Sequence, residues 1–109
     1  MPESYLPDRG HLVWLDFDPQ LGREQAGRRP ALVLSPGEYN TMGLMICCPV
    51  TRQIKGLPFE VAISGGSAPA VALADHVKSL DWRQRRAEFF RRVEPTEVAQ
   101  ERGKLRALV

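Results

Sequence analysis

The chain has 109 residues, 43% of them hydrophobic and 26% charged, with a formal net charge of +2. That is enough apolar material for a single compact core, and it excludes both a disordered tail and a histone-like polycation. No run of about 18 apolar residues could span a bilayer, and Met1-Pro2-Glu3-Ser4-Tyr5 lacks the basic and apolar regions of a secretory leader, so one cytoplasmic domain over residues 1–109 is expected, with no membrane contact.

The predicted elements are short extended runs separated by Gly and Pro, the pattern of a small β barrel rather than of alternating strands and helices. His11 to Asp18 sets Val13, Leu15 and Phe17 on one face and Leu12, Trp14 and Asp16 on the other, so both faces are at least partly covered. A connection from Pro19 to Arg29 follows, longer than a hairpin needs. Further strands are expected over Ala31 to Ser35, Leu44 to Val50, Phe59 to Ser64, Val71 to Ala74 and Ala87 to Val93, with Pro49 marking an edge or a bulge. Cys47 and Cys48 are adjacent, so on a strand they face opposite ways and serve as buried small hydrophobes rather than a disulfide or a metal clamp. After Pro95, the residues Val98, Ala99, Arg102, Leu105 and Leu108 recur at helical spacing, and Pro95 with Glu97 suits a helix start. Gly103 weakens that closing helix, which therefore depends on docking to the sheet.

The chemistry is concentrated in Gly22-Arg23-Glu24-Gln25-Ala26-Gly27-Arg28-Arg29-Pro30. This loop carries one acid and three arginines to the mouth of a β scaffold, an arrangement suited to gripping a phosphodiester and moving its protons. A solvated surface pair at Arg28 and Arg29 is the alternative. Residues 52 to 92 add a local basic excess, with Arg52, Lys55, Lys78, Arg83, Arg85, Arg86, Arg91 and Arg92 set against Glu60, Asp75, Asp81 and Glu88. No spacing of His, Cys, Asp or Glu resembles a zinc or magnesium site, so neither metal nor cofactor is expected. Trp14, Trp82, Phe89 and Phe90 are of a type that stacks on bases, but Trp14 and one of the two phenylalanines are read as core; the arginines after residue 82 suit a solvated or dimer-edge face as well as an RNA track, and His11 is read as a surface strand residue.

Four blocks in register resemble the MazF/PemK family of toxin endoribonucleases: Pro7 to Pro19, Gly22 to Pro30, Lys55 to Val61 and Val71 to Trp82. The resemblance covers nearly the whole chain and thins after residue 83. It implies a mainly β fold, an SH3-like small barrel of the MazF/PemK/CcdB type with added strands and a C-terminal helix. It also implies a homodimer that cuts single-stranded RNA at a short sequence without metal, restrained by a MazE-like antitoxin whose acidic tail lies in the RNA groove. Position by position, Arg29 matches the family's catalytic arginine, Thr51 its catalytic threonine and Glu24 the loop carboxylate associated with activity. Gln53 and Lys55 fall on the loop that helps to hold RNA, and Asp75 and His76 join them as substrate-binding candidates. His76 stands where relatives often carry Gln, and the Thr51 match places a one-residue gap in the turn between Gly37 and Met45.

Cleaving RNA without metal requires the 2′-OH as in-line nucleophile, a stabilised phosphorane and a protonated 5′-oxygen, giving 2′,3′-cyclic phosphate and 5′-OH ends. A guanidinium, charged at any ordinary pH, is a poor base but a good partner for the phosphorane, so Arg29 is assigned to electrostatic stabilisation and as a candidate proton donor. Glu24 is the candidate base, with orientation of Arg29 as its alternative role, and Thr51 a hydrogen-bond donor to a non-bridging oxygen. The same barrel resembles that of the CcdB toxins, which bind DNA gyrase and cut nothing, so the architecture alone leaves a non-catalytic toxin as the alternative.

Overall fold

The computed structural model describes residues 5–17 and 28–109. Glu24, with residues 18–27 as a whole, lies outside the described residues. Seven strands form a curled antiparallel sheet: β1 (His11–Asp16), β2 (Arg28–Val33), β3 (Leu44–Thr51), β4 (Glu60–Ile63), β5 (Ala70–Leu73), β6 (Lys78–Asp81) and β7 (Glu88–Arg92). One-turn helix α1 (Gly37–Asn40) links β2 to β3, a 3₁₀ turn at Ala74–His76 follows β5, and α2 (Pro95–Leu108) closes the chain. The strand order is β4-β5-β3-β2-β1-β7, and β6 also pairs with β3.

The eight-residue β3 organises this sheet. Its first half pairs with β6 through Leu44↔Asp81 to Cys47↔Lys78, and its last two residues pair with β5 through Val50↔Ala72 and Thr51↔Val71. Pro49, which has no N–H to give a ladder, sits where β3 exchanges one neighbour for the other. The change of partner bends the sheet, so that β4 and β5 fold over one face.

Both faces of the central strands are buried, as the alternation in β1 requires. Leu12, Leu32, Cys48 and Val50 pack with Val61, Ile63, Ala72 and Val98 on the face covered by β4, β5 and α2. Val13, Leu15, Ala31, Val33, Met45 and Cys47 pack with Trp82 on the other, beneath Tyr5 and Leu6. The two cysteines thus enter separate cores, both as free thiols. Burial pushes the Cys47 thiol up to about 12 and raises that of Cys48 as well.

The turn between β2 and β3 is held by Asn40, which is fully buried. Its Nδ2 donates to Pro7 O at 2.8 Å and Ser35 O at 3.1 Å, while its Oδ1 accepts from Ser35 Oγ at 2.6 Å. Trp82 Nε1 donates to the Asn40 carbonyl at 2.7 Å. A buried amide with every group paired fixes one geometry at little cost.

Several expectations need correction. Arg28 and Arg29 are strand residues, not loop, because β2 starts two residues before Pro30. β6 and the short helix α1 were not expected from the sequence. His11 is buried at 8% exposure, not a surface residue; Tyr5 Oη donates to its Nδ1 at 2.8 Å, and burial holds its pKa below the usual value. Phe89 and Phe90 are both exposed, so neither belongs to the core. On α2, Val98 is buried as expected, but Ala99 and Leu108 are exposed and Glu101 is buried in their stead.

Candidate RNA-binding groove

The end of the sheet where β2 and β3 emerge from the core carries a groove of about 740 Å³. Arg29, Thr51, Gln53, Lys55, Asp75 and His76, six of the seven residues singled out in the sequence, all line it. Glu24, the seventh, falls among the residues not described.

Local structure explains the convergence. β2 and β3 pair as Ala31↔Pro49, Leu32↔Cys48 and Val33↔Cys47. Continuing that register by two residues sets Arg29 across from Thr51, and strand parity sends their side chains to the same face. The ladder itself stops at Ala31, just past Pro30, so this end of both strands is free of its neighbour. Arg29 is exposed, and no hydrogen bond or ion pair holds it among the described residues. The Thr51 hydroxyl oxygen accepts the N–H of Gln53 at 3.1 Å. That bond uses one of the two lone pairs of the hydroxyl and leaves its proton available to an acceptor in the groove.

The loop after β3 is shaped by Glu60, whose carboxylate accepts the backbone N–H groups of Lys55 and Gly56, each at 3.0 Å. Gly56 has φ +76°, a conformation that suits glycine there. Lys104 on α2 donates to Pro58 O at 2.7 Å and Glu60 O at 3.2 Å, tying the helix to the same loop. Asp75 and His76 come from the 3₁₀ turn on the opposite side, 3.8 Å apart through Asp75 Oδ1 and His76 Nε2. Arg52 and Arg91 add to Arg29 and Lys55, so cations outnumber acids on the walls. Such a surface attracts an anionic, extended ligand.

Sequence reasoning counted Arg52 only in the basic excess, left Arg91 between a solvated face and an RNA track, and preferred core to base stacking for Trp14 and for one of Phe89 and Phe90. Trp14 is only half-buried and lines the groove. No periodicity marks Phe90 or Arg91, because a bulge in β7 decides where they point. Among the described residues, no group of three or more His, Cys, Asp or Glu is placed to hold a metal ion, and no helix is long and apolar enough to cross a membrane.

Arg28, beside Arg29, behaves differently. Its guanidinium donates to Asp16 Oδ1 at 3.1 Å, Trp14 O at 3.3 Å, Arg86 O at 2.6 Å and Glu88 Oε1 at 3.2 Å. Arg86 Nε donates to Asp16 Oδ2 at 2.8 Å. The Arg86 and Arg28 guanidiniums hold the Asp16 carboxyl below the usual carboxylate range.

Residues 8–109 match the family model described as PemK-like, MazF-like toxin of type II toxin-antitoxin system. The chain is 50% identical over 110 residues to the endoribonuclease toxin MazF of Escherichia coli K12, an alignment covering 100% of this chain and 99% of that protein. Its fold superposes on the crystal structure of MazF from Deinococcus radiodurans with a TM-score of 0.86 and 56% identity, covering 96% of this chain and 97% of the other. A MazE–MazF complex from the same organism gives a TM-score of 0.84 at 51% identity, covering 96% of each chain.

Proposed function

The chain belongs to the PemK-like, MazF-like toxin family of type II toxin–antitoxin systems, and on that ground we propose that it is a metal-independent endoribonuclease that cuts single-stranded RNA and so arrests translation and growth. The observation that carries the proposal is the convergence of Arg29 and Thr51 with Gln53, Lys55, Asp75 and His76 on one cationic groove, in a chain half-identical to a named endoribonuclease. That identity sets aside the gyrase-binding alternative, which the architecture alone left open.

In this reading the 2′-hydroxyl attacks the adjacent phosphorus in line with the departing 5′-oxygen, and its proton passes to the carboxylate of Glu24. Arg29 holds the extra negative charge of the phosphorane on two hydrogen bonds, a role that its freedom from any partner among the described residues supports. Thr51 Oγ1–H donates to a non-bridging oxygen. Breaking the P–O5′ bond leaves a 2′,3′-cyclic phosphate, and the 5′-oxygen takes up a proton, for which Arg29 is the candidate donor. Gln53, Lys55, Asp75 and His76 position the flanking nucleotides. The chain acts as a homodimer in the cytoplasm, where translated RNA is found. A MazE-like antitoxin silences it by laying an acidic segment in the same groove, since cations arranged for phosphate also suit carboxylates.

Incubating the purified protein with a long single-stranded transcript in EDTA, then sequencing the new 5′ ends, tests the proposal. Discrete cuts bearing 5′-OH ends at a shared short sequence are expected. An intact transcript would overturn the reading.

A further inference from the structure

The groove wall supplied by β7 has no part in the chemistry above, and its backbone is irregular. β7 pairs with β1 through Leu12↔Arg91 and Val13↔Phe89, which leaves Phe90 as an extra residue without a counterpart on β1. A bulge of this kind breaks the two-residue alternation of a strand and re-aims its side chains. Phe90 and Arg91, neighbours in sequence, consequently both line the groove, while Phe89 packs near Tyr5 and His11.

Phe90 stacks on Trp14 with ring centroids 4.9 Å apart and planes 24° from parallel. It nonetheless keeps 42% of its surface exposed. The Arg91 guanidinium carbon lies 5.7 Å from the Phe90 ring centroid, so the ring is braced by Trp14, flanked by a cation and still partly exposed to the groove. Arg91 reaches across to the β4–β5 turn, on the far edge of the curled sheet. A Cβ built on Gly65 would meet Arg91 Nη1 at 2.9 Å, and one on Gly66 would lie 3.4 Å from Nη2, so two residues without side chains make room for the guanidinium. Its Nε is buried without a hydrogen-bond partner, and no carboxylate pairs with it among the described residues. A cation with no counter-ion among the described residues, beside a part-exposed aromatic ring, is the combination that holds single-stranded nucleic acid through stacking and phosphate contact.

We propose that Phe90 and Arg91, braced by Trp14, form a nucleotide subsite in which an unstacked RNA base lies on the Phe90 ring and the adjoining phosphate is held by the Arg91 guanidinium. The subsite rests on the nuclease reading and extends it to the groove wall supplied by β7, two strands along the sheet from Arg29. It adds affinity for a flanking nucleotide and takes no part in bond breaking.

The test uses oligoribonucleotides carrying the mapped cut site, lengthened one nucleotide at a time on each side. For the parent protein, KM should fall sharply at one added nucleotide. Phe90→Ala should abolish that fall, raising KM on the longest substrate roughly ten-fold with kcat unchanged, and Phe90→Tyr should restore it. Arg91→Gln should lower the salt dependence of log KM by about 0.7, one phosphate contact on a single strand. Should Phe90→Ala fail to fold, Phe90→Leu, which keeps apolar bulk but no stacking plane, takes its place. A KM for Phe90→Ala equal to the parent's at every length, or raised equally at every length, overturns the subsite. A parent protein that cuts no RNA overturns the nuclease reading instead, so the two failures are distinct.

Discussion

Arg28 and Arg29 are adjacent on one strand and have opposite fates. Arg28 commits its donors to two carboxylates and two carbonyls, in a network that staples β1, β2 and the start of β7 together. Arg29 and the other groove cations have no such partners among the described residues. An arginine that stabilises the fold is saturated by the protein, whereas one intended for a ligand has to be left unsatisfied, at some cost in mutual repulsion. Position decides between them: strand alternation sends successive residues to opposite faces, one toward Asp16 and the other toward the groove.

The largest expected effect breaks the contrast at Arg29. Arg29→Ala should lower the cleavage rate roughly 10²- to 10³-fold, as for loss of a donor to a developing anion, with no loss of thermal stability. Cleavage at the parent's rate by a folded variant would show that the free guanidinium is not used.

A buried charge under α2 sharpens the contrast next. Glu101 is fully buried, and burial pushes its pKa up to about 7, opposed by the Cys48 thiol and by Lys104. The folded state therefore holds a proton that the unfolded chain releases near pH 4.5, and stability falls as pH rises from there through about 7. Glu101→Gln should be about 3 kcal/mol more stable than the parent at pH 8 and indistinguishable from it near pH 4. Denaturant melts at both pH values measure the gap, and equal stability at pH 8 would refute it.

The saturated network should behave in the opposite sense. Asp16→Asn leaves two guanidiniums without their shared carboxylate and should cost about 2 kcal/mol at pH 7. Because the folded pKa of Asp16 is depressed, its contribution is complete above the usual carboxylate range and is lost as pH falls through the folded value. The deficit of Asp16→Asn should accordingly close in acid. A deficit independent of pH would mean that the carboxylate's charge is not what holds Arg28.

Gly103 provides the smallest effect, at a site remote from both clusters. It is helical and exposed, and a Cβ added to it would meet nothing within 4 Å, so Gly103→Ala should add about 1 kcal/mol and raise Tm by several degrees. A lower Tm would indicate that the helix needs the glycine.

Most of the architecture could be read from alternation and punctuation: the strands around Leu12, Leu32, Cys48 and Val71, the helix after Pro95, and the opposite faces of Cys47 and Cys48. Six residues that line the groove were singled out from a resemblance carried by local blocks, and the register of β2 and β3, continued by two residues, sets Arg29 across from Thr51. What escaped was set by tertiary pairing. β6 is the polar run Lys-Ser-Leu-Asp, which becomes a strand only because the first half of β3 needs a partner. His11 carries a polar label but is covered by Tyr5 and Phe89. Phe90 and Arg91 reach the groove through a bulge that no two-residue period can announce.

The two native thiols carry a practical consequence. With both buried and both shifted far above neutrality, thiolate-dependent alkylation of the native chain requires an opening of the sheet. The rate of that alkylation is therefore an intrinsic clock for opening of the two cores, and a cysteine introduced on the groove rim can be tagged selectively while the native pair stays silent.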